Sequence, residues 1–382
     1  MVIFNNDSCN TLVSLDVDHK TADNNNNQSS LEQEYVPTNI RLPLDEICYW
    51  DEEEEQQLYL PLHSRVDHYL KGVPQLMDSR DELLANPPVF FSKNSSEKVL
   101  YVAQGEVAHC TNAQSDVLVS DKATTCHIVA FRSEVEGNDA MSSMTHIDGT
   151  AYENCIRDMV DEHIVHHQES SGEEKKSELS GSSSMINLDV HVVGGFDDVD
   201  STSLEISVWF MSLLAQIAAE KSHLMKITLK TCAITAMNDS GFECPIGRGL
   251  AIDTRSGDVF LAKVEEEAAG PQVTLRAVRL FAESETKTLS VIHSARSDTV
   301  QILPFTFNSF GHIDRLLKLP DRNLLQYTST SPQVEEPDFC SCIRSSLKYL
   351  RDMNCEEVFG PYVDQRLVYR RSGNSNHWSI AR

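Results

Sequence analysis

A chain of 382 residues, 40% of them apolar, is long enough for a sizeable core and for two or three domains, or for one domain carrying long insertions. Its 58 acidic residues against 32 basic ones give a formal charge of -26, which argues against a surface built to hold nucleic acid or an anionic membrane. No basic N-terminal segment leads into an apolar run, no stretch is expected to approach the roughly 20 apolar residues of a bilayer span, and the ten cysteines are too scattered to staple a secreted domain. A soluble intracellular chain with reduced, mostly buried thiols is expected.

Residues 1–34, containing "NNNNQSS", lack hydrophobic periodicity and read as a disordered tail. Residues 35–94 form an N-terminal extension: the acidic run "DEEEEQQ" is a solvated face, and the Leu, Tyr and Val around it supply a short helical region that packs on the domain. From Lys98 the character changes. "KVLYVAQGEVAHC", "SDVLVS" and "CHIVAFR" are β-branched and aromatic runs separated by polar turns, and "MINLDVHVVGGF" alternates Ile186, Leu188, Val190 and Val192 before Gly194 and Gly195.

A helix follows, with Asp200 or Ser201 as its cap and Leu204, Val208, Met211, Ala215 and Ala218 at helical spacing. "LMKITLKTCAITAM" is a further strand, and "GLAIDTRSGDVFLAKV" a hairpin turning at Ser256 and Gly257. The stretch near 155–185, ending in "HHQESSGEEKKSELSGSSS", reads as a polar insertion or surface loop, with His163, His166 and His167 in it. A late helix runs through "EEPDFCSCIRSSLKYLRDM", and 353–382 is left as a C-terminal extension. The pattern is α+β, a mostly antiparallel sheet packed with helices.

The chemistry centres on "SDKATTCHIVAFR". Cys126 sits where a polar turn becomes a strand, and is either a small hydrophobe closing that strand or a nucleophile at its edge. Attack requires a base and partial access. His127 follows at once, but successive strand residues point to opposite faces. His146, in "MTHIDGT", lies twenty residues on, room for a strand, a loop and a return that pairs beside Cys126. The same segment is also a plain Asp-Gly turn, in which Asp148 caps an amide.

Eight stretches in order, "LYVAQGEVA", "SDKATTCHIV", "MTHIDGT", "DVHVVGGF", "RGLAIDTRSGDVF", "TLRAVRL", "HIDRLLKL" and "STSPQVEEPDF" through "IRSSLKYL", resemble the protein N-terminal asparagine amidohydrolase family. The resemblance covers roughly residues 95–352, which it implies to be the catalytic domain, with a core similar to the cysteine-dependent glutamine deamidases of bacterial chemotaxis and toxins. It implies hydrolysis of the side-chain amide of an N-terminal Asn to Asp through a cysteine thioester, releasing ammonia, in the N-degron route. The place implied is the cytosol, with the nucleus left open.

Carried over residue by residue, Cys126 matches the nucleophile, His146 the base and Ser120 the hydroxyl that supports the histidine, with Thr124 and Thr125 as competing hydroxyls beside the thiol. The partners implied are proteins or peptides with a free N-terminal Asn, and the α-ammonium needs an anionic reader. Glu106 is the first candidate and Asp148 the second, with Thr125 also at the substrate; Glu106 is equally an exposed strand-edge carboxylate. Such amide chemistry gives no task to a metal or organic cofactor. A protein glutamine deamidase and a non-catalytic N-terminal recognition module are the alternatives. The N-terminal extension, the polar insertion and the tail "RRSGNSNHWSIAR" are not explained by the resemblance.

Overall fold

The structure, a computed structural model, describes residues 70–134, 140–170, 185–282, 288–373 and 375–381. The expected tail, the acidic run and the second half of the polar insertion lie outside these residues. In chain order the strands are β1 (Val89–Phe91), β2 (Val99–Tyr101), β3 (Glu106–Thr111), β4 (Val117–Ser120), β5 (His127–Glu134), β6 (Met141–Ile147), β7 (Ile186–Gly194), β8 (Met225–Ile234), β9 (Leu250–Asp253), β10 (Val259–Val264), β11 (Ser290–His293), β12 (Thr299–Ile302), β13 (Leu367–Arg371) and β14 (Trp378–Ile380). The helices are α1 (Pro74–Ala85), α2 (Glu153–Ser170), α3 (Thr202–Lys221), α4 (Val273–Val278), α5 (Ile313–Leu317), α6 (Asp321–Thr328), α7 (Phe339–Asp352) and α8 (Cys355–Phe359).

A six-stranded sheet in the order β11-β3-β6-β5-β7-β8 forms the centre. Its middle pairs are antiparallel, whereas β11 on β3 and β7 on β8 are parallel. A five-stranded sheet, β1-β10-β9-β4-β2, packs on one face of it, and a three-stranded sheet joins β12, β13 and β14. The fold is therefore α+β and mostly antiparallel, with parallel pairs at the sheet edges. β5 shows why the layers form: Ile128 and Ala130 enter a core with Leu118, Leu250 and Ile252 of the second sheet. Val129 and Phe131 point the other way, into a core with Ile156 and Val160 of α2 and Phe210 and Leu214 of α3. Both faces are covered, so the strand reads as a continuous apolar run rather than an alternating one.

Two expectations are corrected. Glu153–Ser170 is an 18-residue helix rather than a loop, because Ile156, Met159, Val160, His163 and Ile164 recur at helical spacing and bury against the sheet. His163 and His167 are accordingly buried: Ser133 Oγ lies 2.6 Å from His163 Nδ1 and 2.8 Å from His167 Nε2, and Ser143 Oγ lies 2.8 Å from His163 Nε2. The second correction concerns α3, whose 20 residues are long and apolar enough by composition to cross a bilayer. They pack Ile206, Phe210, Leu213, Leu214 and Ile217 into the core. The C-terminal residues are also part of the fold, since β13 pairs with β12 over four residues and β14 closes that sheet.

The buried histidines make stability depend on acid. Burial pulls His109 and His127 down to about 3, and His146, His167 and His191 down to about 4. The unfolded chain takes up these protons near the ordinary histidine value of about 6.5, and the folded chain does not until pH 3–4. Their contribution is complete above pH 6.5 and is lost as pH falls towards 4. The urea midpoint at pH 5 is therefore expected below that at pH 7.5, and equal midpoints would contradict the buried, neutral state of this set.

Candidate active site

Between β4 and β5 the chain makes a turn fixed from several sides. The Asp121 carboxylate accepts from the Tyr101 hydroxyl at 3.0 Å and from Val264 N–H at 2.8 Å. Lys122 takes a left-handed backbone conformation with φ of 62°, and Ala123 N–H donates to the Arg248 carbonyl at 2.8 Å. Cys126 ends the turn, only 9% exposed. Its carbonyl accepts from Gly195 N–H at 2.9 Å. Gly194 lies against the same carbonyl: at φ of 133°, an added Cβ would sit 2.3 Å from Cys126 O. The glycine pair thus admits the nucleophile's own backbone, which only a residue without Cβ allows.

The β5–β6 register brings His146 to the thiol's face. Ile128 pairs with His146 and His127 with Ile147, so Cys126, one residue earlier, stands opposite Asp148. Cys126 and His146 are then diagonal neighbours on one face, a relation that places Cβ atoms about 7 Å apart and within reach of long side chains. That face looks towards the second sheet, where Ser120 ends β4, and Ser120 Oγ lies 3.0 Å from His146 Nδ1. The other ring nitrogen, Nε2, is buried and has no hydrogen-bond partner among the described residues. His127 points to the opposite face, where its Nε2 lies 2.7 Å from Ser207 Oγ of α3.

Burial dominates the electrostatics. It pushes the Cys126 thiol up to about 12, the carboxylates of Asp148 and Glu335 push the same way, and a hydrogen bond from Thr125 opposes them. Burial pulls the His146 imidazole down to about 4, against the Asp148 carboxylate, which lifts it. The resting pair is neutral thiol and neutral imidazole, not thiolate and imidazolium. The N–H groups of Thr125 and Cys126 have no acceptor among the described residues, a pair of donors left at the nucleophile.

The other expected residues fall in different places. Thr125 is buried, and its hydroxyl lies 3.0 Å from that of Thr330. Asp148 is half-buried, accepting from Gln104 Nε2 at 2.8 Å and from the Tyr152 hydroxyl at 2.5 Å. Glu106 is not an exposed edge carboxylate. Its two oxygens accept from Arg276 Nε at 2.9 Å and Nη2 at 2.6 Å, and one also takes Ala103 N–H. Sequence reasoning missed Arg276, Arg248 and Glu335. Arg248, Arg276 and Glu335 lie in the quoted stretches "RGLAIDTRSGDVF", "TLRAVRL" and "STSPQVEEPDF", but nothing in one sequence says which strand or turn a residue about 120 to 210 positions away will meet. A cleft of about 530 Å³ borders the turn, walled by Asp121 and Lys122 on one side and Glu336, Pro337 and Asp338 on the other.

Residues 91–380 match the family model described as protein N-terminal asparagine amidohydrolase. Proteins of that name from Sus scrofa and Homo sapiens are each 29% identical over 258 residues, covering 66% of this chain and 74% of theirs. One from Arabidopsis thaliana is 24% identical over 278 residues, covering 67% of this chain and 74% of its own.

Proposed function

The chain belongs to the protein N-terminal asparagine amidohydrolase family, and from that premise we propose that it hydrolyses the side-chain amide of an N-terminal asparagine to aspartate through a thioester on Cys126. The observation that carries the mechanism is the face shared by Cys126 and His146, onto which Ser120 of the second sheet brings its Oγ to 3.0 Å from Nδ1. A proton on Nδ1, donated to Ser120 Oγ, leaves the Nε2 lone pair as the base. His146 Nε2 takes the thiol proton as Cys126 Sγ bonds to the amide carbon. The carbonyl oxygen becomes an oxyanion, and the unused Thr125 and Cys126 N–H groups are its donors.

His146 then gives its proton to the amide nitrogen, the C–N bond breaks and ammonia leaves. Water, deprotonated by the same nitrogen, attacks the thioester; the thiol regains the proton and aspartate remains. Proteins exposing an N-terminal Asn are the proposed substrates, the N-degron route the proposed setting, and the cytosol the proposed place. The test is ammonia release from three peptides, Asn-led, Gln-led and N-acetyl-Asn-led. Turnover of the first alone is expected; no turnover of it, or equal turnover of the Gln-led or the N-acetyl-Asn-led peptide, would sink the reading.

The neutral resting pair fixes the pH dependence. His146 is a base only above about 4, so kcat/KM rises with pH through that value. The substrate's α-amine, with an ordinary pKa near 8, loses its charge at higher pH, so kcat/KM falls there. A plateau from about pH 5 to 7.5 is expected, together with slow alkylation of resting Cys126 at pH 7. A preformed thiolate would instead give fast alkylation across that plateau.

A further inference from the structure

The segment between α6 and α7 is stapled to the nucleophile turn at two points. Thr330 Oγ1 shares a 3.0 Å hydrogen bond with Thr125 Oγ1. Arg248 is the second staple: its carbonyl receives Ala123 N–H, and its guanidinium donates to the Val334 carbonyl. The next residue is Glu335. This carboxylate is half-buried, accepts from the Ser329 hydroxyl, and forms no ion pair among the described residues. Its neighbour Glu336, by contrast, pairs with Lys263 at 2.9 Å and stands 3.8 Å from Arg248. In the same loop the Ser331 hydroxyl, 1% exposed, has no partner among the described residues.

A carboxylate held near a buried thiol is costly for both groups unless a cation pairs with it, and the Arg248 charge, which lowers the Glu335 carboxyl, does not offset its burial. Burial raises the Glu335 carboxyl, and Glu335 in turn helps raise the Cys126 thiol. A cation bound there relieves both, and the substrate class already argued carries one on the carbon next to the side chain under attack. We propose that Glu335 holds the α-ammonium of the N-terminal residue, an assignment that rests on Cys126 being the nucleophile. Glu106, committed to Arg276, is not free for this task. The ammonium has three donors, and the Ser331 hydroxyl offers a further acceptor in the same loop. The consequence is substrate-assisted activation: the positive charge that identifies a chain terminus also makes the thiol easier to deprotonate, so internal asparagine meets a dormant nucleophile.

The test uses two peptides, one led by Asn and one identical except that a hydroxyl replaces the α-amine. Binding to the full chain carrying Cys126→Ala reads the ammonium site without turnover. The amine peptide is expected to bind about 30-fold more tightly, as for a charge-assisted pair lost without replacement. Adding Glu335→Gln, which keeps an acceptor for Ser329, should reduce that preference to about threefold or less, and Glu335→Asp should give an intermediate ratio. In the otherwise natural enzyme, Glu335→Gln should also lower kcat/KM for the Asn peptide by about 100-fold and quicken alkylation of Cys126 in the absence of peptide. An unchanged preference in both variants, or no preference in the parent, overturns the assignment. If the amine preference is present and depends on Glu335 but no ammonia is released by the natural enzyme, the catalytic reading fails and the ammonium site stands.

Discussion

Replacing Cys126 by serine lowers ammonia release from an Asn-led peptide by about 10⁴-fold or more, and leaves the protein folded. Removing one member of a group that acts as a unit costs about as much as removing all of it, which in nucleophile–base sites is about 10⁴- to 10⁶-fold. A serine hydroxyl is also a far weaker acid than a thiol, and a His146 base pulled down to about 4 has little power to deprotonate it. The structural cost is small. The substitution changes one buried side-chain atom, so about 1 kcal/mol of stability and a shift of a few degrees in Tm are expected. Ammonia release and a thermal melt on the same preparation separate the two effects. Activity within tenfold of the parent would remove Cys126 from the nucleophile's role.

The strands and the turn that carry this thiol were legible because local rules decide them. The runs around Cys110, Val119 and Val129 are β-branched and flanked by turn residues, and strand alternation alone separates His127 from His146: one faces Ser207, the other Ser120. The helix at Glu153–Ser170 was illegible for the opposite reason. The helix is so rich in Glu, Asp and His that composition outweighs the apolar spacing of Ile156, Met159, Val160 and Ile164, which bury only because β5 and β6 offer a matching face. The apolar capacity of α3 was hidden by the Ser and Thr residues interrupting it, although Ser203 and Ser207 are themselves buried. Long-range partners were out of reach altogether. Arg276 meets Glu106 across 170 residues and Thr330 meets Thr125 across 205, and no local pattern in the sequence marks either pairing.

Removing the Glu106 carboxylate is the change expected to cost most stability. Arg276 and Glu106 expose 1% and 2% of their side chains, and the guanidinium also donates to the carbonyls of Ala269 at 2.7 Å and Tyr101 at 2.9 Å. Glu106→Ala leaves that cation buried against two carbonyls only, and leaves Ala103 N–H without its acceptor. Breaking a buried pair from one side costs about 3–5 kcal/mol, a large share of the 5–15 kcal/mol that holds a typical domain together. A fall in the denaturation midpoint is therefore expected at substrate concentrations of zero. The double variant Glu106→Leu with Arg276→Met should recover much of the loss, because a well-packed apolar pair often replaces a buried ion pair at little cost. A carboxylate that read the substrate's ammonium would behave in the opposite way. Its removal would raise KM and spare the midpoint, and the double variant would restore nothing. Denaturation midpoints and KM measured across the three proteins place Glu106 on one side or the other: a recovered fold with KM near the parent's assigns it to holding α4 against β3.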